Sequence, residues 1–282
     1  MTDKREQNPP APVTREELAR DLRALGLQRG DLVYVHSSLR RVGWMPQGPW
    51  TLGEALRDVL GEEGTLAVPT HTLSFPGRGV PPYDPGQTPT ILGLFPETVR
   101  QRPEALRSGH GSHSSAAIGP LAAYLTAGHD PCHALGYDSP LHRLYRAGGK
   151  VLLLGVTQTA NTSLHLAESI SGALYTRLPY DASWGPEVVC LEDGRVRRYR
   201  QVEFPGCSGG FDRIEPELRR RGWMREGTVG HAPARLIEDR GLIDTAVACL
   251  RQDPGYFLCH REDCPCCPGR WKALREAGYP AL

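Results

Sequence analysis

Val151-Leu-Leu-Leu-Gly-Val156, followed closely by Asn161-Thr-Ser-Leu-His-Leu-Ala-Glu168, decides the reading of this chain. The apolar run reads as a buried strand. A short polar loop follows, and a helix begins at Asn161 or Thr162, residue types that cap helices well. His165 and Glu168 are three apart and so share one helical face. That face lies just past the carboxyl end of a strand, where open α/β sheets hold their ligands. An imidazole there can serve as a base, and a neighbouring carboxylate can hold its tautomer. The competing reading is a capped helix with a packed histidine.

Outward from this unit, helical and strand patterns alternate. Thr14-Arg-Glu-Glu17 is a capping box for a helix that stops at Gly26. Asp31 to His36 and Gly64 to Thr70 read as strands, and Thr51 to Leu60 as a helix capped by Thr51. Pro96 to Arg102, Pro120 to Thr126, Pro140 to Ala147, Phe211 to Arg221 and Leu242 to Gln252 read as helical. Residues 73–95 are rich in proline, glycine and threonine and read as a long loop, a frequent place for lids and binding loops. Ser108 to Gly119 reads as a small, polar loop. Glu192-Asp193-Gly194 sits between two short β runs and predicts a hairpin. The pattern predicts an α/β fold, a mixed central sheet with helices on both faces in a single domain. The expected boundaries are a disordered tail over 1–13, the domain over 14–258 and a cysteine-rich extension over 259–282.

The net charge of +1 gives no reason to expect a nucleic-acid partner. No apolar run reaches the roughly 18 residues that a membrane span requires, and the polar, proline-rich start lacks a signal peptide's apolar stretch. A cytoplasmic protein, monomeric or homodimeric, is expected, with its eight cysteines reduced.

His36-Ser37-Ser38 ends the first strand. A turn there exposes backbone N–H groups and two hydroxyls, and with Arg40 and Arg41 it could hold a pyrophosphate. The alternative is a plain polar turn. His110 and His113 lack a nearby second ligand pair and read as surface or substrate contacts, not as a metal site. Neither Gly109-His-Gly-Ser112-His nor Cys207-Ser-Gly-Gly fits a hydrolase nucleophile elbow. The tail Cys259-His-Arg-Glu-Asp-Cys264-Pro-Cys266-Cys267 carries ligand types suited to a structural zinc, at a spacing that suits it poorly. The other reading is a patch of reduced thiols.

Six segments, in order, resemble one family. They are Val35-His-Ser-Ser-Leu-Arg-Arg-Val-Gly-Trp44, Gly64-Thr-Leu-Ala-Val-Pro-Thr-His71, Asp84-Pro-Gly-Gln-Thr-Pro-Thr90, Ser108 to Gly119, Val151 to Glu168, and Gly227-Thr-Val-Gly-His-Ala-Pro-Ala-Arg-Leu236. Together they resemble the aminoglycoside 3-N-acetyltransferases, the antibiotic N-acetyltransferase family that is distinct from the GNAT fold.

The resemblance implies direct transfer of acetyl from acetyl-coenzyme A to an amine of the deoxystreptamine ring. It implies that Ser37, Ser38 and Leu39 line the coenzyme A pyrophosphate and pantetheine, beside His36 and Arg40. Thr157, Thr162 and Ser163 would line the thioester, and His165 would be the base. Glu168 would orient that base or contact the cationic substrate, with Glu215 as another candidate for orienting it. A polycationic acceptor calls for an acidic site, for which Asp84, Glu97, Asp138 and Glu168 are candidates. Thr70 and His110 are expected on the same substrate side. This chain has His110-Gly111 where the family usually has His-Pro, and its cysteine-rich tail is outside the shared motifs. The rival readings are the same chemistry on another amino sugar or metabolite amine, and a non-catalytic zinc-binding or regulatory relative.

Overall fold

The computed structural model describes residues 11–178 and 186–279. The first half contains α1 (Arg15–Leu25), β1 (Leu32–Ser37), α2 (Leu39–Val42), α3 (Trp50–Leu60), β2 (Thr65–Pro69), α4 (Leu94–Arg100), β3 (Leu106–Arg107), β4 (Ser115–Ile118) and α5 (Ala122–Thr126). Then come α6 (Pro140–Ala147), β5 (Lys150–Leu154), α7 (Ser163–Ser171), β6 (Glu187–Glu192), β7 (Arg195–Arg200), α8 (Glu215–Arg221), β8 (Met224–Val229), β9 (Ala232–Glu238), α9 (Asp239–Gln252) and α10 (Cys267–Glu276).

Seven strands form one mixed sheet in the order β3-β4-β2-β1-β5-β9-β8. The central strand β1 runs parallel to β2 and to β5, with Tyr34 opposite Val151 and Ser37 opposite Leu154. The remaining pairs of the sheet are antiparallel. Side chains alternate between the two faces with the period of two. Val33, Val35, Leu152 and Leu154 pack under α1 and α3, whereas Tyr34, Val151 and Leu153 pack under α6, α7 and α9. The same alternation puts His36 on the α7 side. Both faces are covered, so the central strands read as continuous apolar runs.

Local signals place several elements. The Thr14 hydroxyl accepts the Glu17 N–H at 3.2 Å while Glu17 accepts the Thr14 N–H at 2.9 Å, and Gly26 ends α1 in the left-handed region at φ 109°. Asp193 and Gly194, with φ of 50° and 72°, turn the β6–β7 hairpin as Asp-Gly pairs do. Other expectations need correction. Thr51 does not cap α3, which begins one residue earlier; its buried hydroxyl lies inside the first turn. The polar 108–119 segment contains strand β4, because Ser115 and its alanines pair with β2 in the sheet interior.

Residues 1–10 lie outside the described residues, but Val13 is already in the core and donates its N–H to the Trp44 carbonyl at 2.8 Å. At the other end, Leu258, four cysteines and Leu274 form a buried cluster with Tyr175. The cysteine-rich segment is packed onto the body of the fold. Among the described residues, no helix is long and apolar enough to cross a membrane.

Candidate active site

The parallel pairing of β1 and β5 brings their carboxyl ends side by side. Ser38 leaves β1 and donates its N–H to the Leu154 carbonyl at 2.8 Å. Arg41 reaches across to the Gly155 carbonyl at 3.0 Å. A Cβ on Gly155 would lie 2.7 Å from Arg41 Cβ, and its φ of +65° also favours glycine. Ser37 and Ser38 thus stand at the strand ends from which Thr157 and α7 follow, where paired carboxyl ends of an open sheet leave a crevice. The Ser37 hydroxyl and His36 Nε2 are buried there without a hydrogen-bond partner. Buried polar atoms are rarely left unpaired, so this crevice suits a polar ligand.

Helix α7 rises from that crevice. Asn161, not Thr162, caps it by side chain: its Oδ1 accepts the Ser163 N–H at 3.2 Å. One turn in, His165 Nδ1 lies 2.6 Å from Glu168 Oε2. The other carboxylate oxygen accepts the Tyr175 hydroxyl at 2.9 Å. Glu168 is 1% exposed and His165 is 9% exposed. The carboxylate assigns the proton to Nδ1, so Nε2 is left as the acceptor. Phe211 meets the imidazole edge-on, with ring centroids 4.8 Å apart, and fixes its tilt. Tyr175→Phe removes one hydrogen bond from this carboxylate. A loss near 1 kcal/mol, or about fivefold in kcat, is expected with KM little changed; steady-state kinetics would show it, and an unaltered kcat would mean that Tyr175 does not tune the pair.

His165 opens onto a cleft of about 220 Å³ lined by His71, His113, Thr162, Gln201, Glu203 and Phe204 among others. The rings of His71 and His113 are 4.6 Å apart. Burial holds both neutral, His113 at about 3 and His71 well below the ordinary range. Unprotonated imidazoles do not repel an incoming cation. Glu203 is the carboxylate on the cleft wall among the described residues, held by the Leu135 N–H at 3.2 Å and the Ser169 hydroxyl at 2.6 Å.

The family model for aminoglycoside 3-N-acetyltransferases matches residues 34–251. The chain belongs to that family. It is 37% identical over 279 residues to aminoglycoside N(3)-acetyltransferase VII of Streptomyces paromomycinus, covering 86% of this chain and 93% of that one. It is equally identical, over 244 residues, to aminoglycoside N(3)-acetyltransferase IV of a Salmonella species, covering 86% and 89%. Among solved structures it resembles a histidine-to-alanine variant of aminoglycoside acetyltransferase AAC(3)-IVa in complex with a gentamicin. The TM-score is 0.80 and the identity 34%, over 94% of this chain and 99% of that one. It also resembles AAC-IIIb binary with CoASH, with TM-score 0.72 and 32% identity over 86% and 97%.

Within this acetyltransferase, the structure separates the residues singled out by sequence. It brings Ser37, Ser38, Thr157, Thr162 and Ser163 to neighbouring strand ends, with Leu39 half-buried and Arg40 exposed on α2. It does not bring the expected acceptor contacts together. Thr70 is fully buried and bonded to Ser114 at 3.0 Å and to Arg107 at 3.0 Å. His110 is fully buried, with Nε2 on Gln201 at 2.9 Å and its ring stacked on His129. Glu97 is engaged by Arg100 and by the Thr90 N–H at 3.0 Å. Asp84 lines a different hollow with Thr72 and Thr90 and takes the Gly86 N–H at 2.7 Å. Asp138 is exposed, in a left-handed turn residue before α6. Glu168 has one oxygen on His165 and the other on Tyr175 and is not among the residues that line the cleft. Glu215 cannot orient the base, because it pairs with Arg235 at 2.7 Å and Arg219 at 2.7 Å.

Sequence reasoning missed Glu203, Gln201 and Tyr175. Glu203 and Gln201 lie beyond the hairpin and Tyr175 beyond α7, and nothing in their local pattern marks them. His71 ended a quoted motif without being marked as a cleft residue, whereas His113, read as a surface or substrate contact, does line the cleft.

Proposed function

We propose that this enzyme transfers acetyl from acetyl-coenzyme A to the 3-amino group of an aminoglycoside's deoxystreptamine ring, with His165 as general base. The geometry of the His165–Glu168 pair carries the reading: Nδ1 is held by a carboxylate and the ring opens onto a cleft beside the strand-end crevice. An ammonium must lose a proton before it can attack, and Nε2 is the acceptor for that proton. The amine nitrogen then bonds to the thioester carbon, the carbon–sulfur bond breaks, and the departing thiolate takes up the second proton that the nitrogen sheds on becoming an amide. Glu168 steadies the imidazolium while it exists. Direct attack needs no enzyme nucleophile, in keeping with the absence of a nucleophile elbow from the sequence.

Ser37, Ser38, Leu39 and His36, with Arg40 outside, hold the coenzyme in this reading, and Thr157, Thr162 and Ser163 lie along the thioester. The unpaired Ser37 hydroxyl and His36 Nε2 support that assignment. Acetyl-coenzyme A is a cytoplasmic metabolite, so the enzyme acts there. The test is thiol release with a panel of aminoglycosides, followed by NMR of the product to locate the acetyl group. Acetylation elsewhere on the ring, or turnover only with unrelated amines, would overturn the reading. Ser37→Tyr with Ser38→Tyr should raise the KM for acetyl-coenzyme A by about tenfold, as expected for roughly 1.4 kcal/mol of lost binding, and leave the acceptor's KM unchanged. Unchanged acetyl-coenzyme A affinity by calorimetry would put the coenzyme in another groove.

A further inference from the structure

The acetyl transfer proposed above uses none of the cysteines. The structure regroups them. Cys207, Cys259, Cys264 and Cys267 place their sulfurs within 4.8 Å of one another. Cys207 arrives from the loop after β7, and the other three come from the C-terminal segment. Cys266, adjacent in sequence, is not a member of the foursome. It accepts the Cys207 N–H at 3.3 Å instead.

We propose that these four cysteines bind a structural zinc ion that fastens the wall of the acetyl-transfer cleft to the C-terminal helix. A tetrahedral ion with Zn–S of about 2.3 Å needs sulfurs about 3.8 Å apart. Cys207 and Cys259 are already 3.7 Å apart, too far for a disulfide and close to that requirement. The cluster also carries N–H donors aimed at sulfur: Gly209 to Cys207 at 3.2 Å, and Cys267 to Cys264 at 3.4 Å. Such bonds stabilise sulfur as thiolate. The C-x-x-C step from Cys264 to Cys267 suits a single ion.

Charge supplies a second, independent observation. Arg270 on α10 is 1% exposed and has no carboxylate partner among the described residues. Its Nε has no hydrogen bond. A buried guanidinium needs compensating negative charge. Four thiolates around one Zn²⁺ leave a net charge of −2, three residues away along the same helix.

The location gives the site its role. Pro205 and Gly206 line the cleft immediately before Cys207. Arg270 bonds the Phe204 carbonyl at 2.8 Å and lies over the Tyr175 ring at 5.2 Å. Tyr175 in turn holds Glu168. A zinc ion at this point ties the cleft wall and the support of the catalytic carboxylate to one rigid anchor.

The test is zinc content of the full-length protein purified without chelators, by mass spectrometry. One zinc per chain is expected, and cobalt substitution should give the intense visible bands of a tetrahedral thiolate site. Cys207→Ser should lower zinc content by about tenfold, since a ligand is lost, while Cys266→Ser keeps one zinc per chain. If Cys207→Ser fails to fold, mercurial titration of the wild-type protein decides: zinc should leave in step with thiol modification. Zinc-free native protein with these thiols free, a disulfide among them by mass mapping, or zinc lost in Cys266→Ser but kept in Cys207→Ser would each overturn the proposal. None of these readouts depends on which amine the enzyme acetylates.

Discussion

His165→Ala is expected to lower kcat for acetyl transfer on the order of 10³-fold, the middle of the range for a lost general base. The mutation removes the ring whose Nδ1 is tied to Glu168 at 2.6 Å and whose Nε2 is the free acceptor. It leaves Glu168 with its Tyr175 bond, and Phe211 loses only one edge contact. Melting temperature and far-UV circular dichroism should therefore stay near those of the parent, and coenzyme affinity should be preserved. Glu168→Gln is expected to fall between the two, because an amide can still accept from Nδ1–H but cannot stabilise an imidazolium by charge. Turnover within a few fold of the parent in His165→Ala, measured by thiol release at saturating substrates, would remove this imidazole from the proton transfer.

The second large effect is acid lability. Five desolvated histidines, three of them buried and two, His71 and His113, half-buried on the cleft wall, are neutral in the folded protein. Desolvation holds His36 and His113 near about 3, His129 near about 4, and His71 and His110 well below the ordinary 6.5. In the unfolded chain each titrates near 6.5. Their contribution is complete above that pH and is lost below it, because the unfolded state then binds more protons than the folded one. Asp239 works in the opposite direction: burial raises its carboxyl to about 8, so its protonated native form makes the protein less stable as pH rises from about 4 towards 8. Each ring that stays neutral in the folded state contributes up to about 1.4 kcal/mol per pH unit, and the several rings together outweigh the single carboxyl. A typical domain holds only about 5–15 kcal/mol in all, so acid unfolding below pH 6 is expected. Urea midpoints at pH 7, 6 and 5 should fall steeply. Equal midpoints at pH 7 and 5 would show that these rings are protonated in the native state. Asp239→Asn should flatten the alkaline side of the same curve.

The neutrality of these rings links stability to the proposed chemistry. His71 and His113 line the cleft next to His165. Charged, they would repel a cationic acceptor; desolvated and neutral, they present aromatic walls and leave His165 as the proton acceptor.

The sequence alone determined what depends on near neighbours along the chain. Continuous apolar runs laid out the central strands. The capping box and Gly26 bounded α1, Asp193-Gly194 marked the hairpin, and the three-residue spacing put His165 and Glu168 on one face. Each is set by backbone geometry within a few residues, so each is written in local pattern. The six ordered motifs carried the family on the same footing.

Tertiary structure alone decided which distant groups meet. Sheet pairing put Ser37 beside Leu154, and the fold of the segment after α7 brought Tyr175 to the second oxygen of Glu168. Thr70 and His110 looked available in a polar stretch, but Arg107 and Gln201, supplied by folding, took up their hydrogen-bonding capacity, whereas Glu97 was engaged by Arg100 three residues along α4. The thiol cluster exchanged Cys266 for Cys207, more than fifty residues earlier in the chain. Which side chain ends beside another across such separations follows from how helices and strands pack against each other, a property of the whole core that no local window of residues contains.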